Sequence, residues 1–367
     1  MIRNNDDRLQ ELRDKNIPVY SISRLDCINR CMYEAYLTYV CNKRGRSNIY
    51  AILGGKIHDI LEGITKGTAT EKDLLPAMYQ ELEDLDMLNI EFPKGKNGED
   101  TIKNNWVADM EHFCKTYKSP QNATLEAEQL FIYKTPGGHY LQGYIDLQRI
   151  NYDGSIDIYD YKTSSLYKGA DIKEHARQLI LYALGKEQEG NTVRSVSWIF
   201  LKYAKVVFKG KKSARSKEET LISKVIERRN IARELQPYVE GALSKLGMDE
   251  LDIEIKVTQM LKTNTLPVEV ENLFEISPYV LSVNLTEENK QECIEYIDNT
   301  IQKWEQIDHT DEDSFPPRQF TKLQKNGNEV QDVFFCTGLC GHYNDCHYIH
   351  DFLATYNKED NDEDDLF

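Results

Sequence analysis

The chain has 367 residues, 40% of them hydrophobic and 29% charged, with a formal net charge of −16 and eight cysteines. That length fits one large domain with insertions or two domains, and the balance is that of a soluble globular protein. No apolar run approaches the ~20 residues of a membrane helix, and residues 1–16 are polar and charged, unlike a secretory signal. A cytoplasmic protein with no membrane association is expected, its cysteines reduced or bound to metal rather than paired.

The charge is segregated. Lys43, Arg44 and Arg46 form one basic run, and Lys202, Lys205, Lys209, Lys211, Lys212, Arg215 and Lys217 form another. The last ten residues carry six acids. An acidic total is unfavourable for a polyanionic partner, and each basic run reads equally well as a solvated loop.

In chain order, Ser21-Ile-Ser-Arg-Leu25 starts a helix, with Ser21 or Ser23 as its cap, and that helix carries Cys27 and Cys31. Leu53-Gly-Gly-Lys-Ile-His58 reads as a glycine loop entering a helix, with His58 near the helix start. It lacks the Gly-x-x-x-x-Gly-Lys-Ser/Thr pattern of a nucleotide-phosphate loop. Segment 70–117 has helical periodicity, with Trp106, Met110 and Phe113 as core, and 124–133 reads as a strand with Glu126 and Glu128 on one face.

Segments 140–150 and 156–161 flank Asn151-Tyr-Asp-Gly-Ser155, a tight-turn composition, so they form a β-hairpin. Strand alternation places Asp160 and Lys162 on one side of the sheet, and the partner strand brings Asp146 beside them. Two carboxylates next to a lysine make a hard-oxygen site for a divalent cation with a fixed positive charge alongside. Phosphodiester hydrolysis needs these parts: a metal to polarise the phosphate and acidify a water, and a cation to steady developing charge.

Segment 171–184 is a helix bearing Gln178 and Tyr182 as i, i+4 neighbours, and 195–207 is a strand rich in β-branched and aromatic residues. This βαβ-like succession predicts a mixed sheet with helices packed on it. Segment 218–246 reads as a long helix, 250–282 as mixed and without chemistry, and 286–306 as a helix with Cys293 a buried thiol. No internal repeat is evident. Cys336, Cys340 and Cys346 fall within eleven positions, a metal-binding signal in a reduced protein. Thiolates suit zinc or an iron–sulfur cluster, and zinc could take His342, His347 or His350 as a fourth ligand. The acidic end is too poor in apolar residues to order itself.

Gly143-Tyr-Ile-Asp146, then Asp160-Tyr-Lys162-Thr163, then Gln178-x-x-x-Tyr182 resembles the core of the PD-(D/E)XK nuclease superfamily in its RecB-like branch. With the cysteines included, the chain is similar to the iron–sulfur CRISPR-associated exonucleases and to the nuclease modules of end-processing helicase–nucleases. The resemblance implies a restriction-endonuclease-like α/β fold, a mixed central sheet flanked by helices with a helical insertion and a metal-cluster staple joining the N- and C-terminal regions. It implies one RecB-like domain over 1–350: a core at about 50–208, an insertion at about 209–282, and a staple of 21–41 with 331–350. An acidic disordered tail, 351–367, would follow.

The implied activity is Mg²⁺- or Mn²⁺-dependent deoxyribonuclease, an exonuclease of repair, recombination or replication acting on single-stranded DNA or DNA ends. A helicase or recombination protein would be its partner. Asp146 and Asp160 would hold the metal, aided by the Tyr161 carbonyl and His58. Lys162 would orient or activate the water, and Gln178 and Tyr182 would contact substrate or support the site. Glu128 matches a glutamate of the family's first strand. Cys31, Cys336, Cys340 and Cys346 would bind a 4Fe–4S cluster, with Zn²⁺ as the alternative. Two departures stand out: Met32 where the family usually has proline, and three residues rather than two between Cys336 and Cys340. Two rival readings are a catalytically silent DNA-binding scaffold that keeps the fold and a zinc-stapled endonuclease.

Overall fold

A computed structural model describes residues 6–95, 97–211, 218–324 and 326–364, the last eight of these as backbone only. The chain opens with α1 (Asp7–Asp14) and a short β1 (Val19–Tyr20), then α2 (Ile22–Arg30), α3 (Met32–Ala35), α4 (Ile49–Lys66), α5 (Leu74–Met87) and α6 (Thr101–Thr116). An antiparallel meander follows: β2 (Thr124–Lys134), β3 (Tyr140–Ile150) and β4 (Ile156–Lys162). Helix α7 (Ala170–Gln188) crosses over to the long β5 (Val193–Gly210). Then come β6 (Thr220–Glu227), α8 (Ile231–Lys245), α9 (Glu250–Thr263), β7 (Phe274–Val283) and α10 (Glu287–Glu305). A small hairpin, β8 (Thr321–Leu323) and β9 (Glu329–Gln331), leads to α11 (His347–Asp364).

Strands β1–β7 form one mixed sheet. β3 pairs antiparallel with β2 and β4 and parallel with β1. β4 and β5 are parallel, which requires a crossover of the α7 kind because a tight turn cannot return the chain in the same direction. β5 is long enough to pair with β4 and then β6, and with β7 as well.

Side-chain alternation decides the layers. Ile156 and Ile158 of β4, with Val196, Trp198 and Phe200 of β5, pack in one buried cluster with residues of α2, α7 and α10. Leu147, Tyr161 and Leu201 belong to a second cluster with α4, α5 and α6. Past Phe200 the strand carries Ala204, Val206 and Phe208 into a third cluster with α8 and α9. Helices thus cover both faces, the architecture expected. None of the helices among the described residues is long and apolar enough to cross a membrane.

Ser21 caps α2, its hydroxyl accepting from the Arg24 amide at 3.3 Å. Gly54 and Gly55 lie inside α4, not in a loop before it, and His58 sits mid-helix. The helix starts earlier because the Asn48 side chain accepts from the Ala51 amide at 3.0 Å. A Cβ on Gly54 would lie 3.1 Å from Thr163 Oγ1, so the glycine allows α4 to settle against the end of β4.

Residues 220–227 are a strand rather than the start of a helix. Leu221, Ser223 and Val225 are exposed while Ile226 is buried, and a ladder from Thr220 to Glu227 ties them to β5. Within 209–282, α8 and α9 are helical, while β6 and β7 belong to the sheet. The acidic tail begins inside α11, where Phe352 packs on Phe320 with ring centroids 5.2 Å apart. The side chains beyond 356, on which the expected disorder bears, lie outside the described residues.

Candidate active site

The site forms where β3 and β4 part. Their ladder ends at Leu147↔Tyr159, so Asp146 and Asp160 are the next positions along and flank the opening. The Asp146 carboxylate fills part of it: Oδ2 accepts from the Tyr161 amide at 2.9 Å. His58, from α4 on the other side, places Nδ1 3.3 Å from the same oxygen.

Lys162 Nζ stands 2.6 Å from Asp160 Oδ2 and donates to Gln178 Oε1 at 2.9 Å. Gln178 Nε2 in turn donates to the Tyr182 hydroxyl at 2.8 Å. The six side chains expected at the site thus stand in two contact groups, His58 with Asp146, and Asp160 with Lys162, Gln178 and Tyr182, near enough that the charges of Asp146 and Asp160 act across the gap. The backbone of Tyr161 joins the first group through its amide.

Burial shapes the electrostatics. Asp160 is 2% exposed, and burial pushes its carboxyl up to about 6, partly opposed by Lys162 and reinforced by Asp146. Burial also acts on Asp146, but His58, the Tyr161 amide and Lys162 outweigh it and hold that carboxyl below its usual value. His58 and Lys162 are both raised: burial disfavours their charge, and the two aspartates more than compensate. Asp160 Oδ2, though close to Lys162, lies off hydrogen-bond geometry and has no hydrogen bond among the described residues. Two carboxylates, one of them costly to ionise, make a site that a divalent cation would stabilise.

Gly143 lets the core close over the site. A Cβ there would lie 2.7 Å from Phe131 Cε1, and the Phe131 ring packs edge-on against Tyr182 at 5.5 Å. Glu128 has φ of 54° within β2, a left-handed conformation that costs a non-glycine residue ~1–3 kcal/mol. It falls where the β2–β3 register would set it opposite Asp146, and its charge acts on Tyr182. Periodicity gives no sign of that backbone conformation.

Sequence reasoning also missed two aromatic residues near Lys162. Tyr167 and His175 stack with centroids 3.9 Å apart and planes 18° from parallel. The helical spacing His175, Gln178, Tyr182 was the available signal.

The four expected cysteines meet at a second place. Cys31 breaks the α2–α3 helix, ending one and capping the other, and its Sγ accepts from the Glu34 amide at 3.5 Å. Cys31, Cys336, Cys340 and Cys346 line one cavity with Leu37, Phe335 and His342. His342 is 3% exposed. The Thr38 hydroxyl donates to the Glu34 carbonyl at 2.8 Å and so accepts from His342 Nε2 at 2.9 Å. The His342 Nδ1 lone pair has no partner among the described residues. His347 contacts the Tyr33 hydroxyl instead, at 3.2 Å, and His350 packs on Tyr343. Among the described residues no three His, Cys, Asp or Glu side chains already stand as the ligand set of one ion.

Of the basic runs, Lys43 pairs with Asp345 at 3.3 Å. Lys205, Lys209 and Lys211 are exposed, and Lys212, Arg215 and Lys217 lie outside the described residues.

Comparison with curated proteins finds no match. Among solved structures, the chain is similar to the crystal structure of SSO0001, at 12% identity and a TM-score of 0.18, over 64% of this chain and 84% of that one. A family model of the PD-(D/E)XK nuclease superfamily matches residues 19–340, most of the chain and every element that builds the site. The chain belongs to the PD-(D/E)XK nuclease superfamily.

Proposed function

We propose that the chain is a Mg²⁺- or Mn²⁺-dependent deoxyribonuclease, an exonuclease that acts on DNA ends or single strands in repair, recombination or replication. The observation that carries this reading is the gathering of Asp146, Asp160 and Lys162 at one opening in the sheet, with His58 and Gln178 in contact. The donor set suits a hard divalent ion: carboxylate oxygens, one of them buried with only the Lys162 ammonium beside it. When bound, such an ion supplies Lewis acidity and a water of lowered pKa.

Asp146 and Asp160 would hold the ion, with the Tyr161 carbonyl and His58. Lys162, fixed by Gln178 and through it by Tyr182, would orient the attacking water and meet the charge that develops on the phosphate. A cytoplasmic protein with one nuclease domain over 1–350, an acidic tail beyond it, and a helicase or recombination partner belongs to the same reading. The wild-type protein should degrade labelled DNA with Mg²⁺ or Mn²⁺. Asp160→Ala and Lys162→Ala should each lose about a hundredfold or more. Wild-type digestion by Asp160→Ala overturns the site assignment, and DNA left intact by the wild type would favour the silent scaffold.

The same reading places a 4Fe–4S cluster on Cys31, Cys336, Cys340 and Cys346. What supports it is the shared cavity, whose enclosed, largely apolar wall suits soft sulfur ligation. Such a cluster would tie the N-terminal helices to the C-terminal segment. A second reading, zinc, is favoured by one observation, the buried and unpartnered His342 Nδ1 on the same wall. Anaerobic purification with iron and zinc analysis separates the two: iron with visible absorption for the cluster, colourless protein with zinc for the other.

A further inference from the structure

We infer that Tyr167 and His175 form a stacking platform for an unpaired nucleobase beside the bond to be cut, so that the preferred substrate is a single-stranded segment of DNA. This rests on the nuclease reading above and extends it to substrate class.

The platform is built outward from the core. Trp198 and Phe200 are fully buried in β5, and the Tyr167 ring stands edge-on to both, with centroids at 5.1 and 5.3 Å. That backing fixes a ring in the loop between Lys162 and α7 that would otherwise be free to turn. His175 lies face to face on Tyr167 at 3.9 Å. It is exposed on α7, so the stack ends in an aromatic surface open to solvent.

The position matters as much as the stack. His175 is three residues before Gln178 on α7, roughly 4.5 Å along the helix and on the same face. Gln178 holds Lys162, and the charge of Lys162 is felt by both Tyr167 and His175. A base stacked on His175 would thus belong to a nucleotide next to the phosphate at Lys162. Partial burial, opposed by Glu174 and aided by Lys162, holds His175 below its usual pKa, which favours the uncharged ring.

The surroundings favour stacking over charge as the source of grip. Lys168 and Lys173 are near in the sequence, but the charges of Asp171 and Glu174 on α7 act on His175, and Lys173 stands 3.9 Å from Glu292. Every base has a π-face, so an aromatic platform binds without regard to sequence. A base inside a duplex already has both faces covered, so only a frayed end or a single strand can use the site.

The test uses Asp160→Asn protein, which binds without cutting, and a single-stranded oligonucleotide ending in a fluorescent purine analogue whose emission is quenched on stacking. His175→Ala in this background should weaken binding about tenfold and abolish the quenching, whereas His175→Phe should keep both. In the active protein, His175→Ala should raise KM for single-stranded DNA about tenfold with little change in kcat. Equal affinity and quenching with alanine, or equal loss with phenylalanine and alanine, overturns the platform. Because His175 is exposed, its variants should fold even if Tyr167→Ala does not. Failure of the nuclease reading looks different: no cleavage by wild type with either metal, whatever the binding assay reports.

Discussion

Replacing Asp160 by asparagine should make the metal-free protein more stable while removing its activity. The carboxyl is 2% exposed, and its pKa is raised from 3.8 to about 6. The folded protein therefore holds this proton well above the pH at which the unfolded chain releases it. Its contribution to stability is full at low pH and is lost as the pH rises through that window. A shift of about two units at ~1.4 kcal/mol per unit sets a ceiling of ~3 kcal/mol on the penalty at neutral pH. Asparagine also forfeits the attraction to Lys162, whose own pKa is raised chiefly against burial by Asp160, so the expected net gain is ~1–3 kcal/mol.

The assay is urea or thermal unfolding of chelator-treated wild type and Asp160→Asn across the acid-to-neutral range. The difference between them should be near zero at low pH and grow in favour of the variant up to neutrality. Added Mg²⁺ or Mn²⁺ should then raise the wild type and leave the variant unmoved, because only the former offers both carboxylates. An Asp160→Asn protein no more stable than wild type at neutral pH, or a difference that does not change with pH, refutes the claim that this carboxylate is strained by burial.

Cys31→Ala should lower bound metal and melting temperature about as much as Cys340→Ala. Cys27→Ala should leave the metal content unchanged, since Cys27 is buried in the core and does not line the cavity; metal analysis on the three proteins checks this. Gly143→Ala should cost ~1–3 kcal/mol by overpacking, because its Cβ would lie 2.7 Å from Phe131, and a urea titration reads the loss. Gln178→Ala should lower kcat more than it raises KM, since Gln178 holds Lys162 rather than the ion; steady-state kinetics on labelled DNA would show the split.

The local parts of this protein are legible in its amino-acid order. The turn Asn151–Ser155 between two alternating runs predicts the β3–β4 hairpin, and period two then puts Asp160 and Lys162 on one face. Helical spacing pairs Gln178 with Tyr182. These follow from backbone geometry within a few residues, which a sequence records directly. The same local logic fails at β6, where a segment read as helical becomes a strand because β5 extends past β4 and offers a free edge to pair with. It misplaces the start of α4, where the Asn48 cap outweighs two glycines, of which Gly54 leaves room for a contact with Thr163.

What depends on residues far apart in the chain was settled only by folding. The parting of β3 and β4 at Asp146, the approach of His58 from across the sheet, and the cavity shared by Cys31 and the three C-terminal cysteines are long-range contacts. So is the rise of the Asp160 pKa. Its size depends on how completely the packed sheet and helices exclude water, a property of the assembled core that no spacing of residues encodes.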